Sequence, residues 1–473
     1  MLRYLLRRIA LALPTLLVIS LITFGLSKLA PVDPVKEVYG VNLAPTLDPE
    51  AHALVYRQNA AKLGLDKPAF YFSITTPVVP DTAHLIFPPD RRKTLLDLAA
   101  QCGNWGLVSH YSSQLSKTIR AMERTSDSLL PKARLRFVLS ALITVDNQQQ
   151  LSGEVQALDS LLVLTPADQP EFKAELRQLR DAAQAVCTSH NTAGLPVPAF
   201  HWNGFDNQYD HWVGGMLVGD FGVSFKNDKN PVWEELRCYV PPTLLLNGLS
   251  ILLAYLIAIP LGVYMAREKG RASEAWTRRL LLFLYALPTF WVGGILILWF
   301  ATPGYGFDLI HGIAPSPWCK SGMSFWKWCS GNSSKFILPV VTLTLHALAV
   351  FAMQMRGSML DALAQDFVRT ARAKGVPEER VHWHHAFRNA LFPIITVFAS
   401  VFPAVFAGSL VIEYMFGFPG MGTRTQASFI ERDYPVLFAI MMIAAVLTIV
   451  GNIVADVLFT LADPRVRLGK KDG

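Results

Sequence analysis

The 473-residue chain contains no Gly-x-x-x-x-Gly-Lys-Ser/Thr stretch, the loop whose backbone N–H groups cradle nucleotide phosphates. A phosphate cradle for ATP must therefore come from another polypeptide. No Ser-His-Asp or paired-carboxylate arrangement stands out either, so nothing in the sequence marks a catalytic centre. Cysteine is scarce, at Cys102, Cys187, Cys238, Cys319 and Cys329, and neither Cys-x-x-Cys nor His-x-x-x-His spacing occurs. Nothing argues for a bound metal. Charged residues make up only 17% of the chain, and their uneven placement becomes informative once the apolar runs are mapped.

A membrane-spanning helix needs roughly 20 mostly apolar residues to cross about 30 Å of hydrocarbon. Six segments meet that test, at about 9–29, 244–266, 280–301, 336–355, 391–414 and 436–461. A buried soluble core would explain one such run but not six. Each contains a breaker (Pro14, Pro260, Pro288, Pro339, Pro393, Gly451), tolerated in packed membrane bundles because neighbouring groups satisfy freed backbone. The first run exceeds the 7–15 residues of a signal-peptide core and lacks a small-x-small cleavage site after it, so an uncleaved span is expected.

Positive residues are retained in the cytoplasm. Arg3, Arg7 and Arg8 precede the first span, and Arg267, Lys269, Arg271, Arg278 and Arg279 fill the loop after the second. Arg369, Arg372, Lys374, Arg380 and Arg388 lie between the fourth and fifth, and Arg465, Arg467, Lys470 and Lys471 end the chain. The alternate loops carry only Lys320, Lys327, Lys335, Arg424 and Arg432. Both termini are predicted cytoplasmic, and the net charge of +7 needs no nucleic-acid partner to explain it.

Residues 31–240 form a polar region that this topology places outside the cytoplasm, long enough to be a domain. Within an insert at about 75–200, apolar residues recur at helical spacing: Leu95, Leu96, Leu98 and Ala99; Leu115, Ile119 and Met122; Leu135, Val138, Leu139 and Leu142; Leu158, Leu161 and Leu162; Phe172, Leu176 and Leu179. Pro131, Gly153, Pro166 and Pro170 divide it into four or five helices. The expected class is an all-α membrane protein of three parts: an N-terminal span in 1–30, the outer region with its helical insert, and a five-helix core in 241–473.

All five cysteines fall on the predicted outer side, where disulfides are chemically possible. Sequence nearness nominates Cys319 with Cys329, and Cys102 with Cys187 brackets the insert, leaving one cysteine free. His382, His384 and His385 read as an interfacial helix face rather than as ligands. Inside the spans, Asp456 and Asn452, Glu413, His346 and Gln354 are the polar exceptions. A proton or ion relay is one reading; interhelical hydrogen bonding fits better, because these groups are few and line no single face.

A charged segment between two apolar runs, Asp366-Phe-Val-Arg-Thr-Ala-Arg-Ala-Lys-Gly375, followed by Phe387-Arg-Asn-Ala-Leu-Phe-Pro-Ile394, resembles the cytoplasmic coupling loop of binding-protein-dependent ABC importer permeases. Other stretches resemble the dipeptide, oligopeptide and nickel permeases in the same order. These are Arg3-Tyr-Leu-Leu-Arg-Arg8, Leu29-Ala-Pro-Val-Asp-Pro34, Leu63-Gly-Leu-Asp-Lys-Pro68, Gly219-Asp-Phe-Gly-Val-Ser-Phe225, Leu287-Pro-Thr-Phe-Trp-Val-Gly293, Ile337-Leu-Pro-Val-Val341, Glu413-Tyr-Met-Phe-Gly-Phe-Pro-Gly-Met-Gly422 and Asp463-Pro-Arg465. The stretch from about 70 to 201 departs from the ordinary pattern.

The resemblance implies the six-helix type I importer permease fold with a large extracytoplasmic insertion between helices 1 and 2. It also implies a non-catalytic subunit in a bacterial inner membrane, paired with a second permease as a heterodimer and with two ABC ATPases that bind ATP and Mg. An extracytoplasmic binding protein would deliver the solute, which among such permeases includes peptides, metal chelates, sugars and antibiotics. Within a coupling loop at 357–388, the implied contact residues are Asp366, Phe367, Val368, Arg369, Thr370, Ala371, Ala373, Lys374 and Gly375. A short amphipathic helix at about 359–373 would seat in an ATPase groove, with Ala371 and Ala373 small enough for close approach and Gly375 permitting a C-cap. Arg369, Arg372 and Lys374 would meet acidic groups of the ATPase or lipid headgroups. Substrate-binding residues are not legible. The rivals are a secondary transporter driven by an ion gradient, which needs inverted repeats and ionisable groups at the midplane, and a membrane-anchored receptor, for which one span would suffice.

Overall fold

The computed structural model describes residues 2–39, 49–124, 132–165, 169–190, 198–226, 230–307, 314–315, 317–401, 405 and 409–462. The chain divides into two compact units, one made of Met1–Pro31 with Gly219–Gly473 and the other of Val32–Val218.

The first unit opens with α1 (Leu2–Leu29). The second unit contains α2 (Pro34–Tyr39), α3 (Pro49–Lys62), β1 (Phe72–Thr75), then α4 (Pro89–Cys102), α5 (Trp105–Arg124), α6 (Lys132–Thr144), α7 (Gln148–Leu164) and α8 (Pro170–Thr188), and closes with β2 (Ala199–Trp202) and α9 (Gln208–Leu217). Helices α4 to α8 share one core, because each carries a single apolar stripe that water would leave exposed. Val108, Tyr111, Leu115, Ile119 and Met122 of α5 recur every three or four residues and join Phe172, Leu176, Leu179 and Val186 of α8. Burying such side chains contributes about 1.5–3 kcal/mol each. Local chemistry sets the helix ends. Gly103 takes φ +70° to end α4, the Asn147 side chain accepts from Gln150 N–H to open α7, and Pro170 starts α8 where its missing N–H costs nothing.

One expectation changes here. Gly153 does not break a helix; it lies inside α7, where its neighbours' packing outweighs the roughly 1 kcal/mol that glycine costs a helix interior. Pro131 and Pro166 lie outside the described residues. The unit is also not purely helical, since β1 and β2 pair antiparallel with Phe72 opposite Trp202 and Thr75 opposite Ala199. The ladder joins positions on either side of the helical segment.

The first unit resumes with α10 (Val232–Leu236), α11 (Val240–Arg267), α12 (Ala272–Ala286), α13 (Thr289–Ala301), α14 (Phe325–Gly331) and α15 (Ser333–Leu363). After these come α16 (Asp366–Ala373), α17 (Glu378–Arg380), a π-helical turn at Val381–Ala386, α18 (Phe387–Val401), α19 (Leu410–Met415), α20 (Met421–Glu431) and α21 (Tyr434–Ala462). Among the described residues, four helices are long and apolar enough to cross a membrane: α1, the run ending in α11, α15 and α21. The third expected span is broken rather than straight, for α12 and α13 are bent by 96°. Pro288 has no N–H to continue the helix and pushes Leu287 into an extended conformation, φ −77° and ψ 131°. The fifth expected span, 391–414, falls partly outside the described residues.

Helices α11 and α15 form the centre of this unit. Leu246, Ser250, Ala254, Ala258 and Gly262 repeat every fourth residue on α11 and are buried. A Cβ on Gly262 would lie 2.5 Å from Met355 Cβ and 2.8 Å from Ala352 O, so only glycine allows this crossing. The Thr344 hydroxyl donates to Ser250 O at 3.2 Å across the same seam. Arg8 of α1 reaches Asp456 of α21 at 2.9 Å, which pairs one of the intramembrane carboxylates.

Candidate functional site

The charged segment 366–375 folds as a separate eight-residue helix docked beside the end of α15. It is shorter than expected, because residues 359–363 continue α15 and Gln365 turns extended, φ −75° and ψ 153°, before α16 begins at Asp366. Asp366 suits the positive N-terminal end of the helix dipole, and Arg372 the negative C-terminal end. Gly375, at φ +75°, closes the helix: its N–H donates to Arg372 O at 2.9 Å, and Val376 N–H donates to Ala371 O at 3.2 Å. Both bonds, with Val376 packed on the core that holds Ala371, complete a Schellman cap. A Cβ at 375 would touch nothing within 4 Å, so glycine is required for its backbone conformation and not for space.

The inner face of α16 consists of Val368 and Ala371, which join Met355, Met359 and Ala362 of α15, and Val381 and Ala386 of the π-helical turn, in one apolar cluster. Val368 and Ala371, both among the residues expected at the ATPase contact, thus pack into the chain's own core. Periodicity could not reveal this, because an alanine on a short charged helix is equally suited to either face. The outer face holds Asp366, Phe367, Arg369, Thr370, Arg372, Ala373, Lys374 and Gly375, all exposed. Phe367 is the one large apolar side chain among them.

The basic residues of the segment are not equally available. Arg372 makes two hydrogen bonds to the Glu378 carboxylate, at 2.7 and 3.1 Å. Its guanidinium, and next the charge of His382, hold the Glu378 carboxyl below the usual carboxylate range. Arg369 lies 3.4 Å from Asp366. His382 Nδ1 lies 2.6 Å from Glu378 O, while the rings of His384 and His385 meet edge to face. Arg372, expected to meet acidic groups of the ATPase or lipid headgroups, here bonds Glu378 and braces α16 against α17.

A second constellation joins motifs that are far apart in sequence. Ser224 Oγ and Phe225 N–H donate to Asp433 at 2.5 and 3.0 Å, and Arg424 donates to the same carboxylate at 3.1 Å. Arg424 also meets Glu235 at 2.7 Å and Glu431 at 3.1 Å. Asp433 is fully buried, and its three donors compensate the desolvation of its charge. Nearby, Glu413 is tied to α11 and to the start of α20, accepting from Thr243 Oγ1 at 3.0 Å and from Gly422 N–H at 2.6 Å. Sequence reasoning missed Glu235 and Asp433, whose only signal was a carboxylate placed next to an apolar run.

The disulfide differs from the sequence-based pairing. Cys319 bonds to Cys238, 81 residues away, while Cys329, Cys102 and Cys187 are free thiols. Sequence nearness failed because Cys329 is on α14 and packs toward Trp328 and Phe336, whereas the loop holding Trp318 and Cys319 folds onto the junction of α10 and α11. There Trp318 Nε1 donates to Cys238 O at 2.5 Å. The remaining intramembrane polar groups are dispersed: His346 stacks on Tyr285, and Gln354 lines a groove of about 350 Å³ between α12 and α15.

Residues 258–468 match the model of a family described as binding-protein-dependent transport system inner membrane component. The chain is 38% identical over 274 residues to the oligopeptide transport system permease protein of Bacillus subtilis, covering 55% of this chain and 79% of that protein. It is 36% identical over 322 residues to the di/tripeptide transport system permease protein of Pseudomonas aeruginosa, covering 65% and 92%. It is 33% identical over 277 residues to the dipeptide transport system permease protein of Escherichia coli, covering 55% and 80%.

Proposed function

Because the chain belongs to the family of binding-protein-dependent transport system inner membrane components, we propose that it lines the membrane path of an ATP-driven importer for peptides or a related solute. It is a multi-pass inner-membrane protein. In this reading it folds around six spans of the type I importer architecture, with both termini cytoplasmic and the 32–218 unit outside. It pairs with a second permease and with two ATPases that supply the ATP and Mg sites, and receives solute from an extracytoplasmic binding protein. The Cys238–Cys319 disulfide supports this orientation, since both cysteines lie on the side that the Lys and Arg pattern assigns to the oxidising compartment.

The observation that carries the reading is the construction of α16. A helix locked at its end by a Schellman cap, seated on its own core by Val368 and Ala371, transmits force without bending, and its outer face with Phe367, Arg369, Ala373 and Lys374 is free to be gripped. Movement of an ATPase against that face would pass through the shared apolar cluster to α15, α18 and α11, and so alternate access between the two sides. A gradient-driven transporter is disfavoured by family membership and by the pairing of the intramembrane groups: Asp456 is held by Arg8 and Glu413 by Thr243 and Gly422.

The test is a mild-detergent pull-down of the tagged chain from its native membranes, comparing wild type with the double variant Phe367→Glu, Ala373→Glu. Both positions are exposed, so folding is expected to be unaffected. ATPase activity that co-purifies with wild type and is lost from the variant supports the reading. A chain that purifies alone, with solute uptake indifferent to the substitutions, would overturn it.

A further inference from the structure

The two-stranded ladder of the 32–218 unit turns its apolar side outward. Phe72 pairs with Trp202 and Ile74 with Phe200, so the four side chains share one face. That face is exposed, with Phe200 at 65% and Trp202 at 61%, and Phe205 beside it at 72%. Phe72 stacks on Phe200 at 5.7 Å, Tyr71 stacks on Trp202 at 6.5 Å, and Phe205 lies 6.0 Å from Trp202 and 5.8 Å from Tyr71; Phe70, 5.3 Å from Phe72 and 5.0 Å from Tyr71, links the two groups. The opposite face holds Ser73, Thr75 and His201, half-buried. There His201 Nδ1 meets Asp81 at 2.9 Å, while Thr75 Oγ1 and His201 Nε2 are buried without a hydrogen-bond partner among the described residues.

A slip of one residue would turn the aromatic side chains inward and the polar ones outward. The observed register instead leaves two polar atoms unsatisfied and an aromatic sheet exposed, both of which oppose folding in water. We propose that this face rests in the membrane–water interface, its rings among the lipid headgroups. Phenylalanine, tryptophan and tyrosine gathered on one side are the composition of interfacial anchors. A binding protein that docks and leaves would return the sheet to water in every cycle, whereas lipid covers it continuously.

The path of the chain supports the same occupant. Tyr209, whose ring meets Phe70 at 5.2 Å and Tyr71 at 5.9 Å, lies at the start of α9. The ten residues of α9 span about 15 Å and lead to the exposed pair Leu217 and Val218, directly before the membrane-spanning unit resumes at Gly219. At the other end, only Ala30 and Pro31 separate the last residue of α1 from Val32. At both ends the chain of this unit continues directly into that of the membrane-spanning unit.

A nitroxide at Phe200→Cys, and separately at Trp202→Cys, would be compared with one at the exposed Val163→Cys on α7, in the full chain with Cys102, Cys187 and Cys329 replaced by alanine. In phosphatidylcholine nanodiscs, the ladder labels should collide with lipid-dissolved oxygen several-fold more, relative to an aqueous nickel chelate, than the label at 163. Equal access to the chelate at all three sites would overturn the proposal, and so would protection of the ladder labels from both reagents, which would mean a protein covers the face. As a check that leaves the ladder aromatic, the fluorescence difference between the native chain and Trp202→Phe, which is the emission of Trp202 itself, should be quenched by brominated phosphatidylcholine; a difference that the lipid leaves unquenched counts against the proposal.

Discussion

The helices α4 to α8 of the 32–218 unit and the central helix α11 of the membrane unit bury different kinds of residue. In the bundle of α4 to α8, the completely buried positions are large and branched, among them Leu98, Ile119, Leu139 and Leu176. On α11 the buried stripe is mostly small, with Ser250, Ala254, Ala258 and Gly262, while Leu252 and Leu256 point outward and are exposed. Water drives the first arrangement, since any apolar stripe gains by leaving it. Lipid is as apolar as leucine and offers no such gain, so close backbone approach and interhelical hydrogen bonds decide the second. Apolarity therefore reports burial on α4 to α8 and does not on α11.

This contrast is broken most directly by a pair of leucine truncations. Leu139→Ala in the bundle should destabilise its unit by about 2–5 kcal/mol, whereas Leu252→Ala on α11 should change stability by no more than about 0.5 kcal/mol. Differential thermal unfolding in lipid nanodiscs, read by hydrogen exchange of each helix, would measure both; equal costs would refute the distinction. A smaller effect is expected from Gly262→Ala, which must push Met355 aside and should cost about 1–3 kcal/mol through overpacking, visible as lower yield and thermal stability. Gly153→Ala, in open space on α7, should be neutral or slightly stabilising by the same measurement.

The segment 366–375 sharpens the comparison because both rules meet there. Gly375→Ala meets no clash but forces a side chain into the left-handed region, costing about 1–2 kcal/mol locally. Amide protection of Val376 should fall, and Gly375→Asn should restore part of it. A further effect concerns pH. The Glu378 pKa is depressed by Arg372, so its stabilisation is present above the ordinary glutamate value of about 4.3 and is lost as pH falls through the lower folded-state value. Hydrogen exchange across 366–378 should show a weakening below that range in the wild type, and Glu378→Gln should remove the dependence.

Much of the bundle was legible in the residues. Of the apolar positions singled out by helical spacing, those of α5, α6, α7 and α8 lie in the shared core, and on α4 only Leu96 stays outside it. The segment 366–375 was legible as a helix ending at a glycine, and its inward-facing alanine was not. Nor was the bend at Pro288, since a proline inside an apolar run is compatible with a kinked single span as well as with two separate helices.

Amphipathic periodicity, apolar length and the placement of Lys and Arg determined by themselves that this is a helical membrane protein with a separate polar region, because each is a local property matched to the solvent it meets. Only the tertiary structure decided which face of α16 is docked, that Cys319 meets Cys238 rather than Cys329, that Asp433 collects Ser224, Phe225 and Arg424, and that the ladder shows its aromatic side. Those outcomes depend on contacts between residues far apart in the chain. Local pattern is the same for either face, either partner or either register, so the choice rests with packing.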